Sequence, residues 1–260
     1  MSEGKLIYEK IGAAAHIRFD NPAAYNALTH QMWCDLRDAC KQIANDSSVR
    51  VVTFRGVGGK AFISGTDISG FTSFTSGRDG ITYERHIDEC MAAVDAVPVP
   101  TIAIIEGWAV GGGLNIFSAA DFRIATPNAR FASPLGRTIG NCLSMSSCAR
   151  IANAIGTTAA KRMLLLGETI TAQEMLAQGV LYSIAEPDQL DATVSALCER
   201  AIPNAPLTTK ASKEMIRRLS YANLPNIDDL IEEVYGSEDF KMGVRNFLDK
   251  KKTIPPWNGR

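Results

Sequence analysis

The chain has 260 residues, 46% of them hydrophobic and 21% charged, and Lys+Arg 27 against Asp+Glu 28 leave a net charge of −1. This length and apolar share suffice for one sizeable core. The even charge balance excludes the broad basic footprint of a nucleic-acid binder, and the lack of like-charge runs excludes extensive disorder. The start, MSEGKLIYEK, carries no apolar segment of the kind a secretory signal needs, so a cytoplasmic location is expected. The longest apolar stretch, Thr101 to Ala120, includes Glu106, Asn115 and four glycines, which favours a buried strand–turn–helix over a membrane span. Six cysteines without a C-x-x-C pair and three histidines far apart in sequence give no metal-ligand pattern.

Taken in chain order, Leu6 to Glu9 and Ala15 to Phe19 flank Gly12 and predict a β-hairpin. Thr29 is placed to cap a helix whose apolar residues Met32, Leu36, Cys40 and Ile43 follow helical spacing, ending near Asn45 and Asp46. Val51 to Phe54 is a compact strand. Thr66 to Gly80 reads as an irregular loop or short helical turns, and Tyr83 to Val94 as an amphipathic helix. Thr101 to Ile105 is a buried strand leading through Gly111-Gly112-Gly113 into a helix, and Phe122 to Ala125 is a further strand. Thr157 to Leu166 forms a helix stopped at Gly167, and Thr171 to Glu174 is a capping box opening a helix closed at Gly179. A Pro-containing stretch, Ile202 to Pro206, precedes a helical tail over about Leu207 to Lys251. Its last helix presents Phe240, Val244, Phe247 and Leu248, and Lys250 to Lys252 complement the helix dipole. The cadence predicts an α/β core over 1–200 and a helical region over 201–260.

Two glycine-rich segments invite chemical readings. Gly56-Val57-Gly58-Gly59-Lys60 fails as a phosphate loop, because Phe54 stands where G-x-x-x-x-G-K needs its first glycine and Ala61 where Ser or Thr should follow. Gly111-Gly112-Gly113 is more informative: after a strand and before a helix, it exposes backbone N–H groups where the helix dipole favours a developing anion. Ala61 to Ile68 follows another strand, so two strand-end backbones can converge on one carbonyl oxygen as an oxyanion hole.

These segments resemble the enoyl-CoA hydratase/isomerase, or crotonase, family. Asn21-Pro22 through Asn26-Ala27-Leu28 matches its N-x-P-x-x-x-N-A-L segment, one position tighter at the start. Ala61 to Ile68 matches A-F-x-A-G-x-D-[IL], with Ser64 at the small-residue position, and Pro100 to Gly113 matches P-x-I-A-x-x-x-G-x-A-x-G-G-G. Gly167 to Leu181 resembles a later family segment, and Pro256 to Arg260 looks like the family's ending. The resemblance implies a spiral of ββα units with a C-terminal helical trimerisation region, assembled as a trimer or a dimer of trimers. It implies an acyl-CoA or enoyl-CoA thioester as partner, with CoA belonging to the substrate and no separate cofactor. The enolate of that thioester is expected on the N–H groups of Thr66 and Gly112. Ser64, Gly65, Thr66, Asp67, Ile68, Trp108, Gly112 and Leu135 are expected against the substrate, with Lys60 or the tail lysines near the CoA phosphates.

One departure bears on the reaction. Hydratases of this family carry one glutamate two residues after the GGG and a second after a Phe-x-x-Pro segment. Here those positions hold Asn115 and Leu135, or Gly136 if a local insertion falls earlier. Neither type moves a proton near neutral pH, so hydration is expected to be very slow. Candidates to replace them are Asn115, Cys142, His86 and the segment Arg137 to Ser144. Glu84 and Glu89 are read as solvated, and Asp67 and Asp121 as structural. The runner-up reading is an acyl-CoA-binding protein with little turnover.

Overall fold

The computed structural model describes residues 4–251 together with Pro255 and Trp257; the expected ending Pro256 to Arg260, apart from Trp257, and Lys252 lie outside the described residues. The hairpin forms as β1 (Lys5–Ile11) and β2 (Ala14–Asp20), antiparallel, with Gly12 in the left-handed turn. Helix α1 (His30–Ala44) starts where Thr29 Oγ1 accepts the Met32 N–H, and it buries Met32, Leu36, Cys40 and Ile43. Three strand–strand–helix units follow. β3 (Val51–Gly56) and β4 (Ala61–Ile63) lead into α2 (Gly77–Asp95), and β5 (Thr101–Ile105) and β6 (Trp108–Val110) lead into α3 (Gly112–Ala119). β7 (Phe122–Ala125) and β8 (Arg130–Ala132) lead into the single turn α4 (Leu135–Thr138) and α5 (Met145–Ile155).

The first strand of each unit joins one sheet and the second joins the other. One sheet runs β1-β2-β3-β5-β7-β10 and the other β4-β6-β8-β9, where β9 is Thr169–Thr171 and β10 is Ser183–Ile184. Pairing from β2 to β10 and from β4 to β8 is parallel, the outcome expected when helices return the chain between strands. Every residue of β5 is buried, which explains its unbroken apolar sequence. The main core fills the space between the sheets and the inner faces of α1, α2, α3 and α5.

Helices α6 (Thr157–Leu166) and α7 (Ala172–Ala177) have the boundaries set by Gly167 and by the Thr171–Glu174 capping box. α8 (Leu190–Ala201) covers the outer face of β3, β5 and β7. The tail comprises α9 (Pro206–Ser220), α10 (Asp228–Gly236) and α11 (Glu238–Leu248). Of the predicted apolar face of α11, Phe240 and Val244 are buried, whereas Phe247 and Leu248 remain substantially exposed. α10 packs on α2 at Gly77 and Gly80, where an added methyl would overlap the Glu232 backbone and the Tyr235 ring. That close approach puts Tyr235, from the tail, against the first half of α2.

Candidate active site

β4 and β6 end side by side, and their exits define one end of a cavity of ≈ 140 Å³. From the β4 exit come Ser64, Gly65, Thr66 and Ile68; from the β6 exit come Gly111, Gly112 and, one turn into α3, Asn115. Leu28 bridges to this segment, its N–H donating to the Gly65 carbonyl at 2.9 Å and its carbonyl accepting the Asp67 N–H at 2.8 Å. By strand alternation the Thr66 N–H then faces away from Leu28. Gly112 opens α3, so its N–H has no carbonyl one turn earlier within the helix to donate to. Gly113 packs so tightly on Ile63 that a methyl there would overlap the Ile63 carbonyl, which locks the two strand exits together.

Ser64, Gly65, Thr66, Ile68, Gly112, Asn115 and Leu135 therefore share one cavity, as the sequence suggested, and two expected residues do not join them. Asp67 is exposed and accepts the Ser69 N–H at 2.9 Å. Trp108 sits at the start of β6, 41% exposed and outside the lining, because alternation along the strand puts it on the face opposite the buried Ala109. Gly136 is exposed and also outside the lining.

Asn115 is buried and held at both ends of its amide. Its Nδ2 donates to Ser147 Oγ at 2.9 Å, and its Oδ1 accepts from Arg150 Nη1 at 2.9 Å. Arg150 in turn forms a buried ion pair with Asp95, Nη2 to Oδ2 at 2.6 Å. Because a guanidinium only donates, the amide orientation is fixed.

The expectation that Glu84 is solvated is corrected by the structure. Glu84 is 4% exposed and lines the cavity. Its Oε1 accepts the Tyr235 hydroxyl at 2.6 Å and its Oε2 accepts the Ser144 N–H at 2.8 Å. Among the described residues, no Lys, Arg or His lines the cavity. Burial raises the Glu84 pKa to about 7, against the opposing pull of the two hydrogen bonds. A carboxyl poised there can both donate and accept a proton near neutrality. Glu89, on the same helix, is exposed as expected.

The other substitutes fall away on geometry. Cys142 is half-buried and burial pushes its thiol up to about 12, far from a nucleophilic thiolate. His86 lies outside the cavity lining, stacked on His30. Asp121 accepts from Thr101 and pairs with Lys213 at 2.6 Å, a structural role. Residues missed in the sequence include Trp33, Tyr83 and Ile87, all in the lining, and Tyr235 behind Glu84, whereas the singled-out segment Arg137 to Ser144 supplies Thr138, Ile139, Asn141 and Leu143 to the lining. Glu84 had a signal: Gly80, Glu84, Ile87, Met91 and Val94 are all buried at helical spacing, one inward stripe of α2. A larger groove of ≈ 840 Å³ lies between α9 and the body and shares no lining residue with the cavity.

A family model for "Enoyl-CoA hydratase/isomerase" matches residues 9–260. The chain belongs to this family. Among its relatives, the short-chain-enoyl-CoA hydratase of Clostridium acetobutylicum is 29% identical over 97% of each chain. The methylmalonyl-CoA decarboxylase of Escherichia coli is 28% identical over 93% of this chain and 94% of that protein. A solved structure of a methylmalonyl-CoA decarboxylase in complex with 2-nitronate-propionyl-CoA superposes with a TM-score of 0.89 at 26% identity, covering 98% of this chain and 99% of that one. The enoyl-CoA hydratase/isomerase fold is thus shared over the whole described chain, and this family's members process CoA thioesters through several reactions.

Proposed function

We propose that the protein processes an acyl-CoA thioester through its enolate, held by the Thr66 and Gly112 N–H groups, with Glu84 as the proton-transfer group. The observation that carries this reading is the convergence of the two strand exits on a cavity that also contains one buried carboxyl. Asn115 and Leu135 stand where hydratases of the family carry glutamates, so the site has one acid/base group where water addition uses two. One such group is enough for a double-bond shift, in which the same carboxyl takes and returns a proton. It is also enough for decarboxylation, in which loss of CO₂ leaves an enolate that Glu84 protonates.

The lack of Lys, Arg or His among the described lining residues favours the second reaction for a 2-carboxyacyl thioester. Among the described lining residues no cation holds the substrate carboxylate, so loss of neutral CO₂ moves its charge from an unpaired position onto the thioester oxygen between the two N–H groups. The likeness to methylmalonyl-CoA decarboxylase supports the same choice. Asn141 Oδ1, buried and without a hydrogen-bond partner among the described residues, is a free acceptor in the lining. The nucleotide end of CoA leaves past Ser64 to Ile68, whereas Lys60 precedes β4 at the opposite end of that strand and lies outside the cavity lining. The chain works as a homotrimer or a dimer of trimers, with the exposed Leu207, Ile216 and Leu219 of α9 among the surfaces to be covered.

The test is a turnover panel of 2-carboxyacyl, β,γ-enoyl and α,β-enoyl thioesters, followed by release of CO₂ and by the enoyl absorbance. Turnover of the first class, with crotonyl-CoA hydration slow or undetectable, is the expected result. Efficient crotonyl-CoA hydration overturns the assignment. Micromolar to sub-millimolar binding of all thioesters with no product establishes the binding-protein reading instead.

A further inference from the structure

Away from the cavity, α1 and α2 bring four metal-ligating side chains together. His30 and Cys34 stand four apart on α1, and His86 and Cys90 four apart on α2, an interval that puts each pair on one helix face. Across the helix–helix contact the two imidazoles stack with ring centroids 4.5 Å apart. Cys34 Sγ lies 3.7 Å from His30 Nε2, and Cys90 Sγ lies 3.9 Å from His86 Nε2. Ligand atoms of His30, Cys34 and His86 all fall within 4.8 Å of one another.

These separations can be compared with a coordination polyhedron. A tetrahedral Zn²⁺ with Zn–N of about 2.0–2.1 Å and Zn–S of about 2.3 Å has an N···S edge of about 3.6 Å. Both same-helix pairs already stand near that edge, and the separations of up to 4.8 Å within His30, Cys34 and His86 exceed it by about 1 Å, with Cys90 beside His86 as the fourth donor. The cluster is open on one side and closed on the other: His30 is exposed, Cys34 and His86 are half-buried and Cys90 is buried. Two thiolates and two neutral imidazoles neutralise a divalent cation, and they form a borderline-soft donor set that suits Zn²⁺ over Mg²⁺ or Ca²⁺.

We propose that His30, Cys34, His86 and Cys90 form a site for one Zn²⁺-class cation that bridges α1 and α2. Binding exchanges the ion for the two thiol protons, which leave to solvent, with no change of oxidation state. None of the four residues lines the cavity, but Trp33 precedes Cys34 and Ile87 follows His86, and both line it. An ion tying the two helices therefore fixes two walls of the active site without touching the substrate.

The test uses the full chain, freed of metal by a chelator and kept reduced with a phosphine. Co²⁺ titration should give the intense visible bands of tetrahedral thiolate-bound cobalt, saturating at one equivalent and displaced by Zn²⁺. Competition with a chromophoric chelator should then report sub-micromolar Zn²⁺ affinity. Cys34→Ser and His86→Gln should each weaken it by about 100-fold or more, whereas Cys148→Ser should leave it unchanged. Absence of a stoichiometric cobalt spectrum overturns the site. Binding that survives both His86→Gln and Cys90→Ser but not Cys34→Ser overturns the bridge between helices. Circular dichroism of each variant separates loss of ligand from loss of fold.

Discussion

Glu84→Gln is the most informative substitution. The amide can keep both contacts, with its carbonyl accepting the Ser144 N–H and its NH₂ donating to the Tyr235 oxygen, while the hydroxyl turns to the Cys142 carbonyl already 3.3 Å away. The fold should therefore persist while the titratable group is lost. In the wild type the carboxyl titrates at about 7 when folded and near its ordinary 4.5 when unfolded. A raised folded pKa means that the folded state holds the proton longer, so stability is complete below pH 4.5 and falls as the pH rises to about 7. Integrated over that window the loss is about 3 kcal/mol, and the glutamine variant lacks it. Urea denaturation at pH 4.5, 6 and 8 should show the variant gaining on the wild type with rising pH. The same variant should lose about 10²–10⁴-fold in kcat/KM on the active thioester, with thioester binding retained. Parallel pH–stability curves for the two proteins would refute the burial argument, and undiminished turnover would refute the catalytic one.

Other substitutions probe the frame around that carboxyl. Gly112→Pro removes an anion-hole N–H and should lower turnover by about 100-fold or more in steady-state assays while CoA-thioester binding, read by calorimetry, survives. Asp95→Asn strands the buried Arg150 guanidinium and should cost about 3–5 kcal/mol in denaturant melts, loosening Asn115 as well. Light scattering at micromolar concentration should give the mass of three or six chains, and a monomeric mass would remove the assembly reading.

The fold was legible wherever a strand or helix carries its own signal. β5, β7 and α6 have the boundaries that their apolar runs and Gly167 predict. The second sheet was not read, because β4, β6, β8 and β9 have three residues each, too few to display a period of two. They are strands only because the first sheet delivers them side by side, a tertiary cause with no local trace. α5 and α8 went unread for a different reason. Their inward faces include small or polar residues, such as Ser147, Ala149 and Arg150 in α5, which dilute the apolar stripe.

The site was half legible for the same physical reason. In the proposed reaction Thr66 and Gly112 act through backbone groups, and a chain must spend glycines and tight turns to expose those, so the sequence advertises them. Glu84 acts through a side chain whose meaning depends on what covers it, and the cover comes from 151 residues away. Gly80 shows how the two are joined. One helical turn before Glu84 it leaves the space that the Tyr235 ring occupies, and a methyl there would overlap the ring. Gly80→Ala should therefore displace Tyr235, open Glu84 to water and lower its pKa toward the ordinary carboxylate range, although neither residue has changed. Hydration of the carboxyl, the larger effect, outweighs the loss of the 2.6 Å hydrogen bond that by itself holds the pKa down, so the pH optimum moves down together with turnover. A Gly80→Ala variant with an unaltered pH profile would mean that Glu84 owes its pKa to α2 alone, and that the tail is not part of the active site.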